Sequence, residues 1–538
     1  MMKRLLLMLS FALLAANLTQ AQDFDRREYR AVWLTTFLGL DWPKGHDPLT
    51  QQKQLCRILD QLQAAKVNTV LFQVRLRGTT AYASDIEPWD GIFTGTPGRR
   101  PTYDPLAFAI EECHRRGMEL HAWMVAFPVC KLNVLKALGT KSVVRKHPEL
   151  CRRSDDQYIM DPGMPGTADY LANLCRELVS KYDVDGVHLD YIRYPEAGLH
   201  FDDAATYRKY GKGRDLKTWR RDNVTRVVEK IHEAVKSQKP WVRLSCAPVG
   251  KYADLPRQSS RGWNARDAVG QDAVMWLNKG WMDVLFPMMY FDGDNYYPFV
   301  LDWLERAERG TVAPGLGVYC LSAGEKNWPL LTLQRQMNFL RTAEAGGFAL
   351  FRSDFLTNNT KGVYDWLAGE YTTRPVLTPP IENPQSTLPA TPRATLTRQG
   401  YDLHFNFPTG GIHNIYIREG KTFSFLDQTA AGHFTYRPAL PKRLYAEYAV
   451  KAMDRYGCES QPAFLKIGGE IPTLKDTLHV ADLPIDVKAF WICDAFGRKL
   501  RKVDATSTID VSDLRPGCYE LRTVGRKSGS HRVRLFRR

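Results

Sequence analysis

A (β/α)8 TIM barrel followed by two small all-β sandwich-like domains, α/β in class, is the fold this sequence predicts. Three observations carry it. Short apolar runs alternate with longer amphipathic ones from about residue 28 to 370, a proline-rich stretch without periodicity follows, and the remainder breaks into short strand-like runs. With 538 residues, 44% of them hydrophobic, the chain is too long for one ordinary domain. A doubly wound open sheet is the alternative for the first part.

Residues 1–21, MMKRLLLMLSFALLAANLTQA, place Lys3 and Arg4 before an apolar run from Leu5 to Ala16, with small Thr19 and Ala21 before a cleavage point. This is a secretory signal pattern. The run is too short for a bilayer-spanning helix, and no later stretch approaches about 18 uninterrupted apolar residues. No cysteine follows where a lipid anchor would need one. An exported protein is therefore expected, in the periplasm, on the outer cell surface or secreted.

Residues 22–375 should form the barrel. Strand candidates begin at Tyr29, Val67, Met118, Val184, Trp241, Met282, Thr311 and Gly347, and between them lie amphipathic helices such as the one that aligns Leu55, Ile58, Leu59 and Leu62. Residues 376–392 read as a linker, 393–470 as a small β-sandwich, and 471–538 as a further β domain with Gly497 and Gly517 at turns.

The formal charge is +15, and +13 once the leader is removed. Such a chain suits an anionic partner, for example cell-wall glycan, acidic polysaccharide or a membrane surface. Nucleic acid is disfavoured, because there is no zinc-finger spacing, basic heptad or glycine-rich phosphate loop. The ten cysteines, at 56, 113, 130, 151, 175, 246, 320, 458, 493 and 518, show no CxxC pair. They are expected to be mostly free thiols.

In such a barrel, function gathers at the carboxyl ends of the strands. The fourth strand ends in DGVHLDYIRYP, and alternation puts Gly186, His188 and Asp190 on its inner face, with Tyr191 and Arg193 just beyond. The same parity pairs Gln73 with Arg75, His121 with Trp123, and Tyr290 with Asp292, while Arg352 and Asp354 end the eighth strand. Carboxylates, guanidinium groups and rings at one mouth suit a sugar site, since rings stack on pyranose faces and charged groups bind hydroxyls. Plainer roles stand beside these. Asp190 could cap a helix or pair with Arg193, and His188 and Trp123 could be core. Asp272 could be an N-cap, and Arg75 and Arg193 could be structural ion pairs. No GxSxG elbow, metal-ligand motif or cofactor signature appears.

Several stretches carry a family resemblance: REYRAVWLTT (27–36), NTVLFQVRLRGTTAYASDIEPW (68–89), ELHAWM (119–124), HPEL followed by MDPG (147–163), YDVDGVHLDYIRYP (182–195), GQDAVMWLNKGWMDVLFPMMYF (270–291) and GFALFR (347–352). Together they resemble the bacterial glycosyl-hydrolase-like family 10 barrels, among them envelope enzymes that cut peptidoglycan glycan strands lacking stem peptides. The resemblance implies a glycoside hydrolase with Asp190 as the strand-four acid. It departs after strand three, where relatives carry an Asn-Pro-Tyr-Arg type loop and this chain has Val125, Ala126, Phe127 and Pro128. YAVKAMDRYGCESQPA (448–463) is similar to the last strands of fibronectin type III modules. The end of the chain resembles sorting domains of the type IX secretion route, which implies contact with secretion machinery.

Glycoside hydrolysis uses two carboxyl groups, or one acid with the substrate's own acetamido oxygen. Asp190 is the first candidate, and Asp292 and Asp272 are the candidate partners. Gln73, Arg75, His121, Trp123, His188, Tyr191, Arg193, Tyr290 and Arg352 are the candidate substrate contacts. A surface glycan-binding protein without catalysis, and a glycosidase for host or dietary polysaccharide, are the competing readings.

Overall fold

The computed structural model describes residues 24–195, 201–382, 384, 387–467, 477–479, 489–494, 498–504, 508–515, 517–523 and 532–537. The leader expected at 1–21 lies outside them. The chain divides into two units, one of Arg26–Ser386 with Arg455–Gly457, the other of Met1–Asp25, Thr387–Asp454 and Cys458–Arg538.

The first unit is built on a parallel sheet of β1 (Tyr29–Leu34), β2 (Thr69–Arg75), β3 (Glu119–Val125), β4 (Gly186–Asp190), β5 (Arg243–Cys246), β6 (Val284–Leu285), β7 (Thr311–Val312 and Gly315–Gly317) and β8 (Gly347–Phe351). Nine segments appear where eight were expected, because β7 comes in two pieces separated by Ala313 and Pro314. Its first piece pairs with β6 and its second with β8. The amide of Ala313 donates to Leu285, and the carbonyl of Pro314 accepts from Ala349, so bonding continues on both sides across the break. The sheet therefore curls until its two edges lie in one ribbon. A doubly wound sheet has different strands at its two edges, and that alternative is set aside.

Alternation explains the layers. Ala31 and Trp33 point inward with Leu71, Trp123, Phe286 and Ala349, while Val32, Leu34, Phe72 and Leu120 pack outward beneath the helices. Pro48–Ala64 and Pro105–Arg115 start by one device: Asp47 and Asp104 accept first-turn amide bonds and proline follows at the first helical position. Their buried faces, including Leu55, Leu59 and Leu62, close the outer layer.

Two features depart from expectation. Residues 128–160 hold a three-stranded antiparallel sheet of Pro128–Lys131, Cys151–Ser154 and Gln157–Met160. Val125, Ala126, Phe127 and Pro128 lead into it and are buried. The start of the expected linker is not free chain either. Leu377 accepts from Glu28, Val376 accepts from Asn68, and Thr378 donates to Glu119 at 2.6 Å, so residues 376–378 are strapped across the amino ends of the strands.

In the second unit, Thr395–Gln399, Asp402–Asn406 and His433–Tyr436 form one antiparallel sheet. Ile412–Glu419, Thr422–Thr429, Glu447–Met453 and Ala463–Lys466 form another. Leu403, Phe405, Ile415, Ile417, Tyr448 and Val450 fill a core of their own. A four-stranded and a two-stranded antiparallel sheet follow. Cys56, Cys113, Cys130, Cys151, Cys175, Cys246, Cys320 and Cys493 are free thiols. No helix of the described residues is long and apolar enough to cross a membrane.

Candidate active site

Asp190 ends β4 on the inner face, as alternation requires, and is only 7% exposed. Its Oδ1 accepts from the amide of Tyr191 at 2.7 Å and its Oδ2 from the indole nitrogen of Trp123 at 3.1 Å. Burial raises the pKa of its carboxyl above the ordinary value, against the Tyr191 amide, the charge of Arg193, the Trp123 bond and the charge of Arg77, which all pull it down. The result is a sequestered carboxyl with a raised affinity for its proton, on the strand ends where barrels hold their chemistry.

Around it lies a wall of rings. Tyr290 stacks on Phe351 with centroids 5.5 Å apart and meets Tyr319 edge-on at 5.6 Å. Burial, and then the charge of Asp190, drive the Tyr290 phenol well above its usual pKa, so it stays a neutral hydroxyl. Tyr191 is 37% exposed in a left-handed backbone conformation (φ 49°), which an aromatic residue adopts at a cost. Its ring lies 4.8 Å from the Arg193 guanidinium, which also lies 5.7 Å from the ring of Trp263. Asp292 is exposed just past β6.

Other expected contacts are engaged elsewhere. Gln73 and Arg75 do not keep one parity, because a register irregularity falls between them. The Gln73 side-chain oxygen accepts from Thr35, Thr36 and Phe37, which pins the segment after β1. Arg75 is fully buried in an ion pair with Glu87 at 2.6 Å. His121 lies at the amino end of β3, bonded to Glu119 at 3.1 Å. His188 is buried one layer below Asp190, where its Nε2 accepts from Trp33 and its Nδ1 therefore carries the proton toward Ser245. Burial pushes its pKa well below the usual histidine value, which keeps it neutral. Arg352 pairs with buried Asp41 and donates to Leu40 at 2.9 Å. Asp272 stands at a helix N-cap without capping it; instead it accepts from Tyr252 at 2.7 Å, with Arg221 at 3.8 Å and Arg266 at 3.9 Å.

The structure thus groups Asp190, Trp123, Tyr191, Arg193 and Tyr290, leaves Asp292 exposed, and engages Gln73, Arg75, His121, His188, Arg352 and Asp272 elsewhere. Phe351, Tyr319, Trp263 and Arg77 join the site without having been singled out. Phe351 shares the inward parity of Ala349 and was readable that way; Trp263 sits on a loop with no periodic signal. Among the described residues no group of three or more His, Cys, Asp or Glu is arranged to hold a metal.

A parallel curled sheet that carries a buried carboxyl, an aromatic wall and an arginine at the carboxyl ends of its strands is glycoside-hydrolase-like in build. Residues 28–316, over half of the chain, match the model of the family described as glycosyl hydrolase-like 10, and the chain belongs to that family. It is 32% identical over 395 residues to the glycosyl hydrolase YngK of Bacillus subtilis (strain 168), a match that covers 69% of this chain and 76% of that one. It is also 32% identical over 366 residues to the glycosyl hydrolase DigH of Escherichia coli (strain K12), covering 61% and 83%. Among solved structures it is similar, at 15% identity and a TM-score of 0.43, to the PgaB (BpsB) glycoside hydrolase domain from Bordetella bronchiseptica, over 64% of this chain and 98% of that one.

Proposed function

We propose that the protein is an exported glycoside hydrolase that cuts cell-wall glycan strands of the peptidoglycan type, or a related amino-sugar polymer. The observation that carries the reading is Asp190: a buried carboxyl whose proton affinity is raised, held by an indole and flanked by rings suited to pyranose faces. In this reading Asp190 donates its proton to the glycosidic oxygen as the bond to the anomeric carbon breaks. Asp292, exposed and hence free to meet water, takes a proton from the water that attacks that carbon; one molecule of water is added across the bond. A substrate acetamido oxygen is the alternative internal nucleophile, with Asp292 then orienting it. Tyr191 offers its exposed ring to a sugar face, and Arg193 and Tyr290 bind hydroxyl or acidic groups.

The basic charge of +15, or +13 without the leader-like residues 1–21, fits an anionic wall polymer, and that leader fits export. We assign residues 393–470 as a fibronectin type III-like spacer and 471–538 as a sorting domain. The test is to incubate the purified protein with peptide-free glycan strands and a panel of other polysaccharides, and to read products by mass spectrometry. New reducing ends from the glycan strands are expected. Binding with no new ends on any polymer would instead make it a glycan-binding protein.

A further inference from the structure

Lys251, on the segment that follows β5, is 5% exposed; the charge of Asp254 reaches it, but the Asp254 carboxylate is bonded to Gly262 and Asn264, and the bonds of the Lys251 ammonium go to neutral oxygens. A buried ammonium needs its three donors met, and here neutral groups meet them. Nζ donates to Asn295 Oδ1 at 2.9 Å and, closely, to Ser260 Oγ. Its remaining side faces rings, with Phe299 at 4.6 Å and Phe291 at 5.2 Å. Neighbouring bonds fix where Lys251 itself stands. Its carbonyl accepts from Ala265 at 2.7 Å, and Gly250 before it accepts from the Trp303 indole at 2.6 Å.

The two oxygens belong to different loops. Ser260 lies three residues before Trp263, whose ring meets Arg193; Asn295 lies three residues after Asp292. We propose that Lys251 is a positioning residue whose caged ammonium clamps the Trp263 loop and the Asp292 loop to each other, fixing the stacking ring and the exposed carboxylate in one arrangement. A lysine that served stability alone would gain more from a carboxylate partner or from replacement by an apolar side chain. Two neutral acceptors on two loops of the same mouth give geometry instead. The kinetic consequence rests on the hydrolase reading; the clamp does not.

Hydrogen exchange of the full-length protein separates the two. The reporters are the amides of Gln258 and Gly262 in one loop and of Asn295 and Tyr296 in the other, each bonded within its own loop. Lys251→Met should speed exchange in both loops by about tenfold or more, Ser260→Ala in the first alone and Asn295→Ala in the second alone. On glycan strands Lys251→Met should lower kcat by about tenfold with a smaller change in KM, and the loss should largely vanish in an Asp292→Asn background. Unchanged exchange in Lys251→Met, or one identical pattern in all three variants, overturns the clamp. Should Lys251→Met not fold, the double variant Ser260→Ala/Asn295→Ala decides: loosening of both loops beyond the two single variants combined is expected if one partner holds them, and plain addition overturns the clamp. Wild-type protein that cuts no glycan but shows the loop pattern removes the hydrolase reading and leaves the clamp.

Discussion

Asp190 sits under opposed influences, and their balance sets what it can do. Burial favours the neutral acid, while the Tyr191 amide, Arg193 and the Trp123 indole favour the carboxylate. Trp123→Phe removes one donor to the charged form, so the Asp190 pKa should rise further. In a pH–rate profile the alkaline limb, where the acid loses its proton, should move to higher pH. A limb that stays put or moves down would show that the indole does not tune this carboxyl. The same burial acts on stability. A folded-state pKa above the unfolded value means that stability is lost as pH rises through the folded pKa. Asp190→Asn should therefore raise the Tm at neutral pH, and the gain should shrink as pH falls toward the ordinary carboxyl value, measured by thermal unfolding across pH. Strand parity put Asp190 and Tyr290 on inner faces in the sequence, and Tyr191 was read from its place just past the strand. Parity misled at Gln73 and Arg75, because an irregularity in β2 broke it and because their partners Thr35 and Glu87 lie 38 and 12 residues away.

At the scale of elements, the two ends of the curled sheet do different work. At the amino ends, Glu119 bonds Arg243, His121 and Thr378. Burial alone would raise the Glu119 pKa, but the charge of Arg243 and these bonds bring it down to about 2. A depressed folded pKa gives stability that is present above the ordinary carboxyl value and lost as pH falls toward about 2. Glu119→Ala would leave Arg243, whose side chain is 5% exposed, without its counter-charge. A loss of about 3 kcal/mol or more is expected in urea unfolding, with Asp190 chemistry unaltered in folded protein. A loss under about 0.5 kcal/mol would make the network incidental. His121 belongs to this network, which is why its apparent place beside Trp123 did not bring it to the mouth. The main strands were legible because each is a short apolar run bounded by turns. The inserted sheet was not, since CRRS and QYIM are four residues each with no apolar alternation.

For the whole molecule, the separation into two units predicts that catalysis travels with the first. A chain ending at Ser386 should keep the curled sheet and its cutting activity. It should be less stable than the full chain, because Arg27 loses the Gly457 carbonyl at 2.6 Å and Ile381 loses that of Tyr456 at 2.9 Å. Thermal unfolding and product assays check this together; a folded but inactive truncation would place part of the site beyond residue 386. The proline-rich composition after Tyr371 reads as a linker. It concealed that residues 376–378 bond the strand ends, because hydrogen bonds to distant backbone leave no local pattern. One measurement bears most directly on the account: the rate at which new reducing ends appear from peptide-free glycan strands, for wild type and for Asp190→Asn. A general acid contributes about 10²–10⁴-fold, so a fall of that size in a variant that remains folded is the predicted result. An Asp190→Asn protein that releases product as fast as wild type would contradict it.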